Sequence, residues 1–199
     1  MNNSYGSNCQ YLTLNSTTFI GSTILTQEQG ISLFNLIGNQ SISKNLYRTS
    51  RDGFLASSFH SKCDNKGATL TLIKSSNGNI FGGFTKANWA EYSYKSDSNA
   101  FLFSLINQYD YPIKLNIKSD KVAYAINANP SYGPYFGDAP DLYIADQSNS
   151  NIISSSQLGS TYDLPQNGAR SIFADSRYFY TSEIEVYQIE GNYNKFYVF

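Results

Sequence analysis

The sequence predicts an α+β domain built on a two-layer antiparallel β-sandwich that is flanked by short helices. Short segments with strand-like alternation recur along the chain, and turn-forming residues separate them. Two other stretches repeat their apolar residues at helical spacing. The 31 aromatic residues can fill a large core, so we exclude disorder despite the 49 Ser and Asn residues among 199. We expect one domain over residues 12–199, after a flexible tail over residues 1–11.

The first helix is predicted over residues 26–38. Thr26 and Gln29 have the spacing of a capping box, and Gly38 with Asn39 is a typical helix stop. The segment also contains apolar residues that should face the core, namely Ile31, Leu33, Phe34 and Ile37.

A second, shorter helix is predicted over residues 53–62, with Ser50 or Asp52 as its N-cap. Turn residues at positions 63–67 follow the segment and end it. Its buried side should be formed by Phe54, by Leu55 or Ala56, and by Phe59.

The clearest local signal is a β-hairpin. Residues 69–74 alternate with period two, Asn77-Gly78 is a strong hairpin turn, and residues 79–85 form the return strand. Leu70 and Leu72 should lie on the face opposite the threonines. Gly82 and Gly83 lie in mid-strand, which indicates a bulge or the close approach of another part of the chain.

The rest of the chain predicts more strands and two loops. An aromatic-rich loop is expected at 130–140 and a mobile surface loop at 147–156. The strand segments are 100–106, 113–118, 122–127, 141–146 and 182–189.

Composition excludes several classes of protein. The net charge of −1 argues against a nucleic-acid-binding domain and against an electrostatic membrane anchor. No apolar run is long enough to insert into a membrane, and residues 1–10 lack the pattern of a signal peptide. Cys9 and Cys63 are the only cysteines and His60 the only histidine, so a disulfide framework or a zinc cluster is excluded. Phosphate-loop, dinucleotide and calcium-loop motifs are absent, so we expect no metal and no cofactor. The cysteine usage indicates a reducing compartment, hence the cytosol or the nucleus.

A series of short blocks in a fixed order carries a resemblance to a known family. The blocks are 46–54 (LYRTSRDGF), 59–60 (FH), 63–64 (CD), Gly67, 69–70 (TL), 73–74 (IK), 78–84 (GNIFGGF), Trp89, 101–105 (FLFSL), 133–137 (GPYFG), 141–144 (DLYI) and 183–187 (EIEVY). In this respect the chain resembles the TLDc domain of the oxidation-resistance proteins over residues 12–190. Two loops depart from the family pattern: Asp138-Ala139-Pro140 replaces a glycine-rich turn, and Ala174-Asp175 replaces Ala-Gly.

The resemblance implies a two-sheet sandwich with a role in oxidative-stress resistance through contact with the vacuolar-type proton ATPase. It implies a cytoplasmic monomer that a partner could recruit to endolysosomal or vacuolar membranes. It supplies no catalytic residue that can be assigned to a position of this chain.

The charged pair Arg51-Asp52 precedes the second predicted helix, where it could contact a partner. We favour a structural role, in which Asp52 caps the helix and Arg51 pairs with a buried carboxylate. Asp141 opens the Asp-Leu block and is kept as a candidate for the same interaction or structural network, as are Gly82 and Gly83.

His60 and Cys63 are one helical turn apart. A cationic His60 could lower the pKa of the thiol and create a redox sensor, although a buried, inert thiol is the commoner case. Three functions stay open at this point: an interaction module for the proton ATPase, a redox-sensing scaffold that uses Cys63, and a hydrolase that uses two glutamates.

Those glutamates are Glu183 and Glu185, which share one face of the last predicted strand because side chains alternate along it. Ile184 and Val186 share the other face and should enter the core. The glutamate pair could perform acid–base catalysis. It could equally hold Arg48 or Arg51 and fasten the helix entry to the sheet, and we favour this second role.

Overall fold

The computed structural model describes residues 19–38 and 41–190, so the predicted tail over residues 1–11 lies outside the described residues. The helices are α1 (Gln27–Leu36), α2 (Thr49–Asp52) and α3 (Ala56–Cys63), with a 3-10 turn at Val122–Tyr124. The strands are β1 (Ser41–Arg48), β2 (Thr69–Ser75), β3 (Ile80–Thr85), β4 (Tyr94–Lys95), β5 (Phe101–Ile106), β6 (Ile113–Asn116), β7 (Ile126–Asn127), β8 (Tyr135–Phe136), β9 (Leu142–Tyr143), β10 (Ser154–Ser155), β11 (Tyr178–Phe179) and β12 (Thr181–Glu190).

The strands form two antiparallel sheets, which confirms the predicted sandwich. The first sheet has the order β1-β12-β2-β3-β5-β6, and the second has the order β11-β10-β9-β8-β7-β4. The last long strand, β12, therefore lies between β1 and β2 and pairs with both. The first strand and the last strand of the described chain are therefore neighbours in one sheet.

The first sheet is buried on both faces. One face packs against the second sheet in a cluster that includes Ile73, Phe81, Ile184 and Phe136. Its other face packs under α1 and the segment that precedes it. This second cluster includes Leu70, Leu72, Leu33, Ile37 and Phe19. Among the described residues, no helix packs over the outer side of the second sheet, and the candidate site lies on that side.

The first helix and the hairpin agree with the sequence prediction. Thr26 caps α1, and Gln29 returns the hydrogen bond of the capping box. One residue of the expected apolar stripe was predicted wrongly, because Ile31 is exposed. Leu33 and the C-cap residue Ile37 are buried as expected, and Gly30 is buried as well.

The second helix, predicted over residues 53–62, corresponds to α3; the short α2 precedes it, and the cap was predicted wrongly. Gly53, at φ +89°, ends α2, and α3 begins after Leu55 without a side-chain cap of its own. The amide of Ala56 donates instead to the carboxylate of Asp146 at 2.7 Å. A residue 90 positions away thus performs the capping that we expected from Ser50 or Asp52.

Three segments of the second sheet differ from their predictions. Part of the strand predicted at 122–127 is the 3-10 turn, and only β7 pairs. The aromatic-rich loop contains β8, which pairs with both of its neighbours. The segment 147–156 is only in part the predicted surface loop, because Ser148 and Ser154 are buried and β10 lies within it.

The mid-strand glycines confirm a close approach. A methyl carbon added at Gly82 would overlap the carbonyl oxygen of Thr71, and one added at Gly83 would lie 2.7 Å from the Phe136 ring. Gly83 therefore permits the second sheet to pack directly on β3.

Candidate interaction surface

Glu185 is fully buried and belongs to a hydrogen-bonded network rather than to a cleft. Its carboxylate accepts from Arg48 Nε at 2.8 Å, from Ser22 Oγ at 2.6 Å, from the Thr23 amide at 2.9 Å and from the Tyr187 hydroxyl at 2.9 Å. The predicted link to Arg48 is thereby confirmed. The carboxylate joins the segment before α1 to β1 and β12.

Glu183 fastens α2 to the same strand. It accepts from the hydroxyl of Thr49 and from the amide of Ser50, the latter at 2.9 Å. Burial raises the pKa of Glu183, but the hydrogen bonds from Ser50 and Thr49 outweigh it and hold the pKa below its usual value. Thr23 Oγ1 donates to both glutamates, at 3.2 Å and 3.1 Å. The available oxygen lone pairs are thus occupied by the protein itself.

Arg51 does not reach either glutamate. It pairs with its neighbour Asp52 at 2.8 Å and donates to the carbonyl of Leu46. Asp52 also accepts from the amide of Arg48 at 3.0 Å. Arg51 and Asp52 therefore have a structural role, as expected, but with other partners than predicted. Asp52 binds the backbone at the start of α2 and does not cap α3.

His60 and Cys63 are both buried on α3, and the imidazole engages other partners than the thiol. His60 Nδ1 lies 2.8 Å from the Asp64 carboxylate, and Nε2 lies 3.1 Å from the carbonyl oxygen of Tyr132. Burial raises the pKa of the Cys63 thiol well above its usual value, and the charges of Asp64 and Asp52 raise it further. This environment is the opposite of the one a redox-sensing thiolate needs.

We expect Cys63 to react slowly with a thiol reagent in the native protein and quickly after unfolding. The side chain is only 1% exposed, and its thiolate is disfavoured. The measurement is the labelling rate in a Cys9→Ser variant, in which Cys63 is the only thiol, with and without urea. Fast labelling of the native variant would restore the redox-sensor hypothesis.

Asp141 holds a loop together at one end of the second sheet. Its carboxylate accepts the backbone amides of residues 159–162, at distances from 2.8 to 3.4 Å. Burial raises the pKa of Asp141, against the opposing effect of these amides. Asp138, next to it, pairs with Lys121 at 2.9 Å and accepts from the Ser160 and Thr161 hydroxyls. The two aspartates thus fasten the Asp138-Ala139-Pro140 loop to residues 159–162.

Asp175 stands where the resemblance predicts a glycine, and its side chain forms hydrogen bonds that a glycine could not form. Asp175 adopts φ +57°, a left-handed conformation that favours the glycine expected there. Its carboxylate accepts from the side-chain amides of Asn77 and Asn79, at 3.3 Å and 3.0 Å. These bonds tie residue 175 to the turn between β2 and β3.

The outer side of the second sheet carries a row of tyrosines. Residues paired across adjacent strands lie side by side on one face, and the pairing aligns Tyr178, Ser155, Tyr143, Tyr135, Asn127 and Tyr94. The alternate residues Phe179, Leu142, Phe136 and Ile126 point into the core. We call this outer surface, together with the flanking Tyr92, Tyr132 and Ile153, the tyrosine face.

Three central rings of the tyrosine face are held by one another. Tyr143 meets Tyr132 at 5.0 Å and Tyr135 at 5.5 Å between ring centroids, both edge to face. The hydroxyls of Tyr94 and Tyr135 donate to the carbonyl of Asp138. A groove of about 450 Å³ runs over this face, and no Lys, Arg, Asp or Glu lines it. The groove is lined by Tyr92, Asn127, Asn129, Tyr132, Tyr135, Pro140, Tyr143, Ile153 and Ser155.

Sequence reasoning did not find the tyrosine face. All of its strands are two residues long, so no alternation is visible in the sequence, and the row exists only after six strands have paired. The candidates Arg51, Asp52, Glu183 and Glu185 lie instead around the first sheet. His60 contacts the tyrosine face through the backbone carbonyl of Tyr132.

Comparison with known proteins assigns the family. The TLDc domain model matches residues 18–190, nearly the whole chain, and the chain therefore belongs to the TLDc domain family. Comparison with curated protein sequences gives no match. Of the helices within residues 19–38 and 41–190, none has the length and apolar character needed to cross a membrane. In the same residues, no group of three or more His, Cys, Asp or Glu side chains could hold a metal ion.

Proposed function

We propose that this TLDc domain is a protein-interaction module that binds the vacuolar-type proton ATPase and thereby contributes to oxidative-stress resistance. The tyrosine face is its contact surface, and the domain acts in the cytoplasm, where the ATPase recruits it to a membrane. Family membership supports the choice of partner. The row of tyrosines, of which Tyr94 and Tyr178 are exposed and Tyr135 and Tyr143 half-buried, is the observation that supports binding through a surface.

The chemistry of the tyrosine face suits protein recognition. Tyrosine is enriched at the energetic centres of interfaces, where charged residues are depleted. A tyrosine buries a large ring at the cost of few rotatable bonds, so a surface whose rings already contact each other loses little entropy on binding. The mutual packing of Tyr132, Tyr135 and Tyr143 provides such a pre-ordered surface.

The two other functions have less support. A redox-sensing scaffold needs an accessible thiol, but Cys63 is buried. A hydrolase needs two carboxylates that converge on a substrate pocket. Glu183 and Glu185 converge instead on Thr23, which is part of the protein.

We expect the double variant Tyr94→Ser/Tyr178→Ser to bind the purified ATPase at least about tenfold more weakly than the wild type, because two interface tyrosines are truncated. The matched control is Tyr109→Ser/Tyr111→Ser. These tyrosines are 41% and 42% exposed, as Tyr94 and Tyr178 are at 42% and 49%, but they lie in the loop between β5 and β6. The dissociation constants of the three proteins are compared, with melting curves to verify folding.

Binding is expected without added nucleotide, and ATP alone should leave the melting temperature of the domain unchanged, because a ligand that binds the folded state raises apparent stability. Equal affinity of both double variants would contradict the tyrosine face as the contact surface. No binding by the wild-type domain would contradict the choice of partner.

A further inference from the structure

A pocket beside the groove of the tyrosine face carries two arginines. The pocket has a volume of about 230 Å³. It shares the lining residues Pro140 and Ser155 with the groove over the tyrosine face, so the two depressions adjoin. Its lining is Ala139, Pro140, Ser155, Gln157, Gly159, Ser160, Arg170 and Arg177.

Neither guanidinium is neutralised within residues 19–38 and 41–190. The ion pairs there engage Arg48, Arg51, His60, Lys95 and Lys121, and neither Arg170 nor Arg177 is among them. Asp138 and Asp141, which flank Ala139 and Pro140 of the lining, are already committed, since Asp138 pairs with Lys121 and Asp141 accepts four backbone amides. No Asp or Glu lines the pocket, so its lining carries two positive charges.

Arg170 is held in place by backbone contacts, and Arg177 lies beside an aromatic ring. Arg170 Nη1 donates to the carbonyl of Leu158 at 2.7 Å, and the amide of Leu158 donates to the carbonyl of Arg170 at 3.0 Å. Gly159, at φ +104°, leaves room for this approach, since a methyl carbon there would lie 3.0 Å from Arg170 Nη1. The guanidinium of Arg177 lies 5.2 Å from the centre of the Tyr178 ring. A guanidinium has five N–H donors, so donors remain for a ligand.

We infer that this pocket binds the side-chain carboxylate of an acidic segment of the partner protein, while neighbouring apolar residues of that segment lie on the tyrosine face. The inference rests on the proposed function and names the chemistry of the partner. Planar guanidinium groups suit carboxylates, which they bind through two parallel hydrogen bonds. The segments 1–18, 39–40 and 191–199 contain no Asp or Glu, so they offer no side-chain carboxylate to this pocket.

The first test measures binding to the purified ATPase. The Arg170→Gln/Arg177→Gln variant should bind at least about tenfold more weakly, and raising the salt concentration should reduce its difference from the wild type. The matched control is Lys44→Gln/Lys66→Gln, which removes two exposed positive charges elsewhere and should bind like the wild type. Arg170→Lys/Arg177→Lys should bind with intermediate affinity, because it keeps the charge and loses the planar fork. Equal binding by the Gln variant and the wild type would overturn the inference.

The second test does not depend on the ATPase and keeps the two proposals distinguishable. The side-chain Nε–H signals of the arginines in the ¹⁵N-labelled protein are followed during titration with the peptide acetyl-Leu-Glu-Asp-Leu-amide. The signals of Arg170 and Arg177 should shift with this peptide and not with its Gln-Asn counterpart. Inorganic phosphate is titrated separately, and shifts with phosphate but not with the acidic peptide would overturn the inference. If the wild type fails to bind the ATPase but the peptide shifts persist, the proposed partner is wrong and the acidic-segment site stands.

Discussion

Replacing Glu185 by glutamine is expected to lower the free energy of unfolding by about 3 kcal/mol, because the change leaves a largely buried guanidinium without its counter-ion. Arg48 is 19% exposed, so solvent partly compensates and the loss lies at the lower end of the range for broken buried pairs. The hydrogen bonds from Ser22, Thr23 and Tyr187 also lose a charged acceptor.

Urea unfolding of the wild type and the variant measures this loss. Glu190→Gln provides the matched control, since Glu190 is an exposed glutamate on the same strand, and its removal should change stability by less than about 0.5 kcal/mol. If Glu185→Gln unfolds like the wild type while binding to the ATPase is lost, the glutamate is a binding residue and its assigned structural role is wrong.

Substitution of the two glycines of β3 is the second change expected to lower the free energy of unfolding strongly. Gly82→Ala is expected to cost about 4 kcal/mol or more, because the added methyl group overlaps the backbone of β2 at Thr71 and strand pairing must change to admit it. Gly83→Ala should cost about 2 kcal/mol, since its methyl group meets only the Phe136 and Leu102 side chains, which can shift.

Gly67→Ala is the control for backbone strain alone. Gly67 has φ +73° and nothing within 4 Å of an added methyl carbon, so about 1 kcal/mol is expected. Thermal or urea unfolding of the three variants should rank them in the order Gly82, Gly83, Gly67. A Gly82→Ala variant as stable as Gly67→Ala would show that β2 and β3 do not pack as described.

Features that depend on neighbouring residues were predictable from the sequence. The Thr26–Gln29 capping box, the hairpin around Asn77-Gly78 and the alternation along β12 each lie within a few positions. The role of Glu185 followed from that alternation, because it placed the carboxylate away from Ile184 and Val186. Its partner Arg48 was one of only two arginines considered.

Features that depend on distant pairing were not predictable in the same way. Asp146 caps α3 from 90 positions away, and no local pattern indicates it. The sequence around Ser148 and Ser154 predicts a polar surface loop, but both residues are buried. Their hydroxyls can be buried because they form hydrogen bonds with the Thr181 hydroxyl and the Ala145 amide. The tyrosine face likewise requires strands of two residues, which carry too few positions to show a period.

Site-specific photo-crosslinking tests most directly whether the tyrosine face contacts the proton ATPase, as we propose. Tyr178 is replaced by p-benzoylphenylalanine in one variant and Tyr109 in another, and each protein is mixed with the purified ATPase and irradiated. We predict that position 178 forms a crosslink to an ATPase subunit and that position 109 forms none. Crosslinking from position 109 alone, or from neither position in a complex that is demonstrably formed, would contradict the account.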